Sequence, residues 1–213
     1  MTNEITKRIL SSIILIPLVF FFIIKGSFYF NFFIFMCFLV TIYEWYKMNK
    51  KNIYFIYGCF FLVFSFYTVY DLRIEGDYKI FLLVFISCIA TDIGGYTFGK
   101  IFKGPKLTKI SPNKTYAGVI GGFFLTIVFS YIYFNNFKFF GFDNDMEMSI
   151  EIFIFVLLIS FMSQIGDLTI SFFKRHSKIK NTGMIIPGHG GLLDRIDGMI
   201  FAFPFVYILL RIF

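Results

Sequence analysis

Asp92, Asp167, Asp194 and Asp197 stand in or beside segments otherwise built from Phe, Ile and Leu. A carboxylate placed in a membrane helix costs roughly 2.5–3.5 kcal/mol on insertion scales, so Asp92 and Asp167, which fall inside such segments, each require a partner. Hard divalent cations take carboxylate oxygens together with substrate phosphate oxygens, which makes a group of four aspartates suited to Mg2+. One at a time, each aspartate also fits a plainer role. It can pair with a lysine inside a bundle, or, for Asp194 and Asp197, sit where carboxylates favour a helix start.

The densest polar stretch is Ser171–Asp197, SFFKRHSKIKNTGMIIPGHGGLLDRID, which lies between two strongly apolar segments. Lys174, Arg175, Lys180 and Arg195 supply positive charge. Gly188, Gly190 and Gly191 let backbone N–H groups approach an anion closely, and the following helix can turn its positive end toward the same anion. A glycine-rich turn alone is a weak signal; with KR before it and DRID behind it, a phosphate and metal site is the better reading. Upstream, GKIFKGPKLTKISPNKTYAG carries five lysines. Attraction to anionic headgroups accounts for that charge. The order of Ser111, Lys114 and Thr115 equally suits a hydroxyl and an ammonium set at a helix N-terminus. Glu44, beside Trp45 and Tyr46, is a weaker instance of a carboxylate in an apolar segment, and a structural role suits it better than a ligand role.

The elements that must position these groups are membrane helices. Of 213 residues 58% are hydrophobic, 35 are Phe and only 15% are charged, and mean hydropathy is +0.77. A soluble domain of this size carries more charge. Apolar runs at about 9–24, 28–46, 53–70, 79–98, 116–134, 151–172 and 197–213 each approach the ~20 residues of a bilayer span. The expected fold is therefore an all-α polytopic transmembrane bundle of about seven spans. The N-terminal run lacks an A-x-A-like cleavage site and is read as a retained first helix. With the N-terminus in the cytoplasm, fifteen of the 20 Lys and Arg fall on the cytoplasmic side, as the positive-inside rule asks. Asp92 and Asp167 then lie eight and seven residues before Lys100 and Lys174, at a similar depth of roughly 10–12 Å. Residues 1–76 read as a scaffold for lipid access, and 77–213 as the half that carries the chemistry. Cys37, Cys59 and Cys88 lie in apolar runs and read as packed membrane cysteines, with no metal-type spacing. The pairs Gly95/Gly99 and Gly118/Gly122 read as close helix packing.

Residues 90–200 resemble the phosphatidate cytidylyltransferases, also called CDP-diacylglycerol synthases. The resemblance rests on an ordered signature: Ser171, Lys174, Arg175, Lys180, Gly183, Pro187, His189, Gly190, Gly191, Asp194, Arg195 and Asp197. DIGGYTFGK with Asp92, SPNKTYAG with Ser111 and Lys114, and SQIGDL with Ser163 and Asp167 are similar to the family's upstream features. The first 90 residues match only in hydropathy, and the chain is shorter than many members. Where the family has Lys-Asp, this chain has Lys180-Asn181, which cannot supply a full negative charge.

The resemblance implies CTP + phosphatidate → CDP-diacylglycerol + diphosphate, with Mg2+ and room for a second, monovalent cation such as K+. Asp167 and Asp194 are the expected metal ligands, with Asp197 or Asp92 as a third. Lys174, Arg175, Lys180 and Arg195 are expected to neutralise phosphates, and Ser111, Lys114, Ser171, Gly188, Gly190 and Gly191 to bind substrate phosphate. His189 is expected to hydrogen-bond a phosphate or the leaving group rather than act as a nucleophile. CTP, phosphatidate and the bilayer are the expected partners, with a homodimer left open and no nucleic acid. The absence of a transit-like N-terminus favours a bacterial inner membrane with the site facing the cytoplasm. Two alternatives stay open: a catalytically altered relative, for which Asn181 speaks, and a transporter with a cytoplasmic-side anion or metal site. Against the transporter, the outer halves of the spans are nearly all apolar. The spaced motif of the CDP-alcohol phosphotransferases is absent.

Overall fold

The computed structural model describes the chain apart from residues 1, 50–52, 109, 136–148, 187, 189 and 213, and apart from the side chains of residues 2–9 and 12. The described residues form eight helices: α1 (Thr2–Lys25), α2 (Ser27–Asn49), α3 (Tyr54–Ile74), α4 (Tyr78–Phe102), α5 (Tyr116–Asn135), α6 (Ile150–His176), α7 (Leu193–Ile196) and α8 (Met199–Ile212). Among the described residues there is no strand, only isolated bridges between Lys106 and Thr115 and between Ile186 and Gly190. The all-α expectation holds. Five helices, α2 to α6, are long and apolar enough to cross a membrane, while Ile13–Lys25 and α8 are shorter apolar helices. The DRID stretch makes a separate one-turn helix, α7, ahead of the last apolar helix.

The chain divides into two compact units. The first comprises Met1–Asp77 and Phe173–Asp197, the second Tyr78–Phe172 and Gly198–Phe213. In the first, α1 and α2 are joined at Gly26, whose φ of +61° is a left-handed conformation that glycine adopts without strain. Arg73 closes this turn by donating from Nε and Nη2 to the Ile23 carbonyl at 3.0 and 2.6 Å. A Cβ at Gly26 would come within 2.7 Å of the same guanidinium. Trp45, 3% exposed, donates its indole N–H to the Phe55 carbonyl at 3.1 Å. It meets Phe173 edge-on, with ring centroids 5.0 Å apart.

In the second unit, α4 and α5 approach through glycine. A Cβ on Gly94 would lie 2.7 Å from the Gly121 carbonyl carbon and 2.9 Å from Gly122 Cα, and one on Gly118 would lie 2.8 Å from the Gly95 carbonyl oxygen. The expected close packing of the small residues is therefore present, and it extends to Gly94 and Gly121. Hydroxyls pair where the backbones meet: Thr91 Oγ1 lies 2.8 Å from Thr126 Oγ1 and 2.9 Å from Ser160 Oγ. These groups are buried, and each would be costly there without a partner. Cys88 is buried and Cys37 and Cys59 are partly so, all three as free thiols.

Candidate functional site

Two polar clusters arise, one in each unit. In the first unit, α6 ends at His176 because Lys178 turns left-handed, with φ of 56°. The Ile179 N–H then reaches back to the Lys174 carbonyl at 2.9 Å. The last turn of α6 thus presents Lys174, Arg175 and His176, cations that complement the negative end of a helix.

Beyond this end the chain folds back on itself. Ile186 and Gly190 exchange both backbone hydrogen bonds, at 3.0 and 3.2 Å, while Gly188 and Gly190 take φ of 76° and 94°. The turn brings α7 back toward α6, so that Lys174 Nζ lies 2.8 Å from Asp194 Oδ1. Asp194 Oδ2 accepts from the N–H groups of Thr182 and Gly191 at 2.9 and 3.1 Å. Burial works to raise the pKa of Asp194, but the hydrogen bond and charge of Lys174, with the two backbone donors, outweigh it and hold the carboxyl below its ordinary value.

The loop rests on Glu44. This side chain is 1% exposed. It accepts from Thr182 Oγ1 at 2.9 Å, Leu192 N at 3.0 Å and Leu193 N at 2.8 Å. The last two are orphan donors at the start of α7.

In the second unit, the loop between α4 and α5 is a hairpin. Leu107 donates to the Lys114 carbonyl at 2.8 Å and Tyr116 to the Pro105 carbonyl at 3.2 Å. Thr115 caps α5, accepting at Oγ1 from Gly118 N at 3.1 Å. The hydroxyl and ammonium expected at this helix start are both there. Lys114 Nζ pairs with Asp167 Oδ2 at 2.5 Å, the side chains 23% and 30% exposed. Asp167 Oδ1 accepts from Ser171 Oγ at 3.3 Å. The plainer role considered for a lone carboxylate, pairing with lysine, is thus seen at both Asp167 and Asp194.

The remaining expected site residues are distributed as follows. Asp197 is buried and Asp92 exposed; Arg175, Lys180, Asn181, Gly188 and Arg195 are exposed, and Ser111 is half-buried. The backbone N–H groups of Gly190 and Gly191 are donated within the loop. Ser171 is 6% exposed. His189 lies outside the described residues.

A model of the cytidylyltransferase family matches residues 6–76 and 53–213. The chain belongs to the cytidylyltransferase family. Its similar relatives include the phosphatidate cytidylyltransferase of Staphylococcus aureus (strain COL), 41% identical over 150 residues. Those of Staphylococcus epidermidis (strain ATCC 12228) and Staphylococcus saprophyticus are 38% and 37% identical over 148 and 147 residues. Each match covers 68% of this chain and 54% of the relative. The chain therefore spans about half the length of the curated relatives it matches.

For this member of the cytidylyltransferases, no group of three or more His, Cys, Asp and Glu among the described residues is arranged to hold a metal. Mg2+ needs no such cage, since it is commonly held by one or two carboxylates plus substrate phosphates. Asp167, part-exposed with a hydroxyl beside it, fits that requirement. Asp194 fits it with more rearrangement, because it is more deeply buried and its oxygens take three donors where those of Asp167 take two. Two residues central to the loop, Glu44 and Thr182, were not foreseen in these roles. The carboxylate in an apolar helix was the available signal for Glu44, but its partners lie 138 to 149 positions away.

Proposed function

We propose that this cytidylyltransferase-family protein joins CTP to phosphatidate, forming CDP-diacylglycerol and releasing diphosphate. The observation that carries the reading is the Ser171–Asp197 segment. Lys174 and Asp194 are fastened there as a nearly buried pair, in a segment whose Arg175, Lys180, Gly188 and Arg195 are exposed. The names of the staphylococcal relatives support the same substrates.

In this reaction a phosphomonoester oxygen of the lipid attacks the α-phosphorus of CTP. The new P–O bond forms as the bond from the α-phosphorus to the bridging oxygen breaks, and diphosphate departs with that electron pair. Such transfers are catalysed mainly by positioning and charge neutralisation. Lys174, Arg175, Lys180 and Arg195 would offset the charge of the triphosphate and the lipid phosphate. Lys114, Ser111 and Ser171 would bind phosphate oxygens, as would the Gly188–Gly191 turn. His189 would hydrogen-bond a phosphate or the leaving group. Asp167 and Asp194 are the carboxylates proposed to hold Mg2+, with Asp197 or Asp92 as a third. When bound, Mg2+ would neutralise phosphate charge and orient the α-phosphorus.

The reading sets the protein in a bacterial cytoplasmic membrane with seven spans, the N-terminus inside and the site facing the cytoplasm. There CTP arrives from water and phosphatidate from the leaflet. The lysine and arginine distribution supports this orientation. The test is to incubate purified protein with labelled CTP, phosphatidate and Mg2+. A lipid-soluble cytidine product, dependent on both substrates, is expected; its absence overturns the assignment.

A further inference from the structure

Glu44 belongs to α2, well apart in sequence from every residue proposed above for binding or catalysis. It is nonetheless the carboxylate on which the site loop is folded. Its two oxygens take three hydrogen bonds, one from the Thr182 hydroxyl and two from the backbone at Leu192 and Leu193. These points bracket the turn that carries Gly188 and Gly190. Thr182 also offers its own N–H to Asp194, so Glu44 and Asp194 grip one residue from two sides.

The glycines at the two ends of the turn are explained by the same carboxylate. A Cβ on Gly191 would meet first the Thr182 hydroxyl that Glu44 holds, and then the Glu44 oxygens at 2.6 and 2.7 Å. A Cβ on Gly183 would lie 3.0 Å from Glu44 Cδ and closer still to Oε1. A flexible, solvated carboxylate would swing aside. This one is buried and triply hydrogen-bonded, so it cannot move without leaving donors unpaired. Gly183 and Gly191 therefore leave the space that Glu44 fills, a role distinct from anion approach.

We infer that Glu44 is the positioning residue for the phosphate-site loop, holding the turn and the first residues of α7 in the arrangement that receives the triphosphate. The inference rests on the proposed cytidylyltransferase reaction for its substrate. Its structural part stands without it.

The test compares wild type with Glu44→Gln, Thr182→Val and Thr182→Ser in the full chain in detergent. Gln turns an NH2 group toward N–H donors, Val deletes one donor, and Ser restores that donor. Kinetically, Glu44→Gln should lower kcat/KM for CTP at least tenfold, with KM for phosphatidate changed less than twofold. Thr182→Val should act in the same direction and Thr182→Ser should recover wild-type values. Independently of activity, hydrogen exchange in the 182–193 segment should accelerate at least tenfold in Glu44→Gln and Thr182→Val, while exchange in α4 and α5 stays unchanged.

Unchanged exchange in both variants overturns the inference. So does a loss falling equally on both substrates in proportion to the folded fraction. A wild-type chain that forms no cytidine lipid overturns the functional reading, and the exchange experiment still decides the role of Glu44.

Discussion

Lys174 Nζ stands 2.8 Å from Asp194 Oδ1, with 11% and 8% of the two side chains exposed. The pair ties the last turn of α6 to α7, across the 20 positions that contain the glycine-rich turn. It is both a fastening of the loop and a placement of opposite charges at a proposed phosphate site.

Removing one partner exposes the cost of burying the other. Asp194→Asn leaves the Lys174 ammonium nearly buried without its counter-charge, a loss of about 3 kcal/mol in typical cases. Unfolding in detergent should show that loss, and Mg2+-dependent turnover should disappear while the protein still inserts into membranes. Near-normal turnover would refute a metal-holding role for Asp194.

The same pair sets a pH dependence. The Asp194 pKa is lower in the folded protein than its ordinary value of 3.8. Its contribution to stability is therefore fully present above that value, and is lost as pH falls through the depressed folded pKa. Acid unfolding of wild type should show this extra loss below pH 3.8, and Asp194→Asn should lack it. Curves of equal steepness in the two proteins would contradict the assignment.

Lys114 and Asp167 form a more exposed pair, which should separate stability from activity. With 23% and 30% of the side chains exposed, its contribution to stability should be below about 1 kcal/mol. Asp167→Asn is expected to leave the unfolding midpoint close to wild type. It should lower turnover on the order of 100-fold, about 2.7 kcal/mol of transition-state stabilisation. A large shift in midpoint with unchanged turnover would make the pair purely structural.

Gly94 has no room for a side chain. Its Cβ would meet backbone atoms of Gly121 and Gly122 at 2.7 and 2.9 Å, and backbone cannot swing away as a side-chain terminus can. Gly94→Ala should push α4 from α5 and destabilise the second unit by about 2 kcal/mol, within the range for overpacking. Thermal unfolding measures this, with Gly104→Ala as a contrast: its Cβ would meet no atom within 4 Å, but its φ of +90° brings backbone strain.

Asn181 is exposed, and its Cγ lies 3.5 Å from the position of a Cβ on Gly190. Asn181→Asp restores the family's Lys-Asp order at the edge of the turn. The expected change in kcat/KM is under about threefold, or less than about 0.7 kcal/mol. An inactive parent switched on by this change would show that the chain is a catalytically altered relative.

Much of this protein is legible in its sequence because the bilayer imposes a simple rule. Apolar runs near the length of a span become helices whose backbone groups are satisfied internally, so five of the seven apolar segments fall within α1, α2, α4, α5 and α6, and the other two overlap α3 and α8. The Gly118/Gly122 spacing announces close packing for a similar reason, since only small residues let helix backbones touch. The order from Lys174 to Asp197 identifies the family because that order is local in the chain.

The partners of Glu44 are not local. A carboxylate at position 44 and backbone donors at 192 and 193 meet only once the chain has folded, and no periodicity relates them. The same holds for Lys174 with Asp194, and for Gly183 and Gly191, whose missing side chains make room for a carboxylate far away in sequence. The sequence determined which residues are present and which segments are helical. The tertiary structure alone decided which buried charge answers which donor, because an unpaired buried group is too costly to leave and its partner can come from anywhere in the chain.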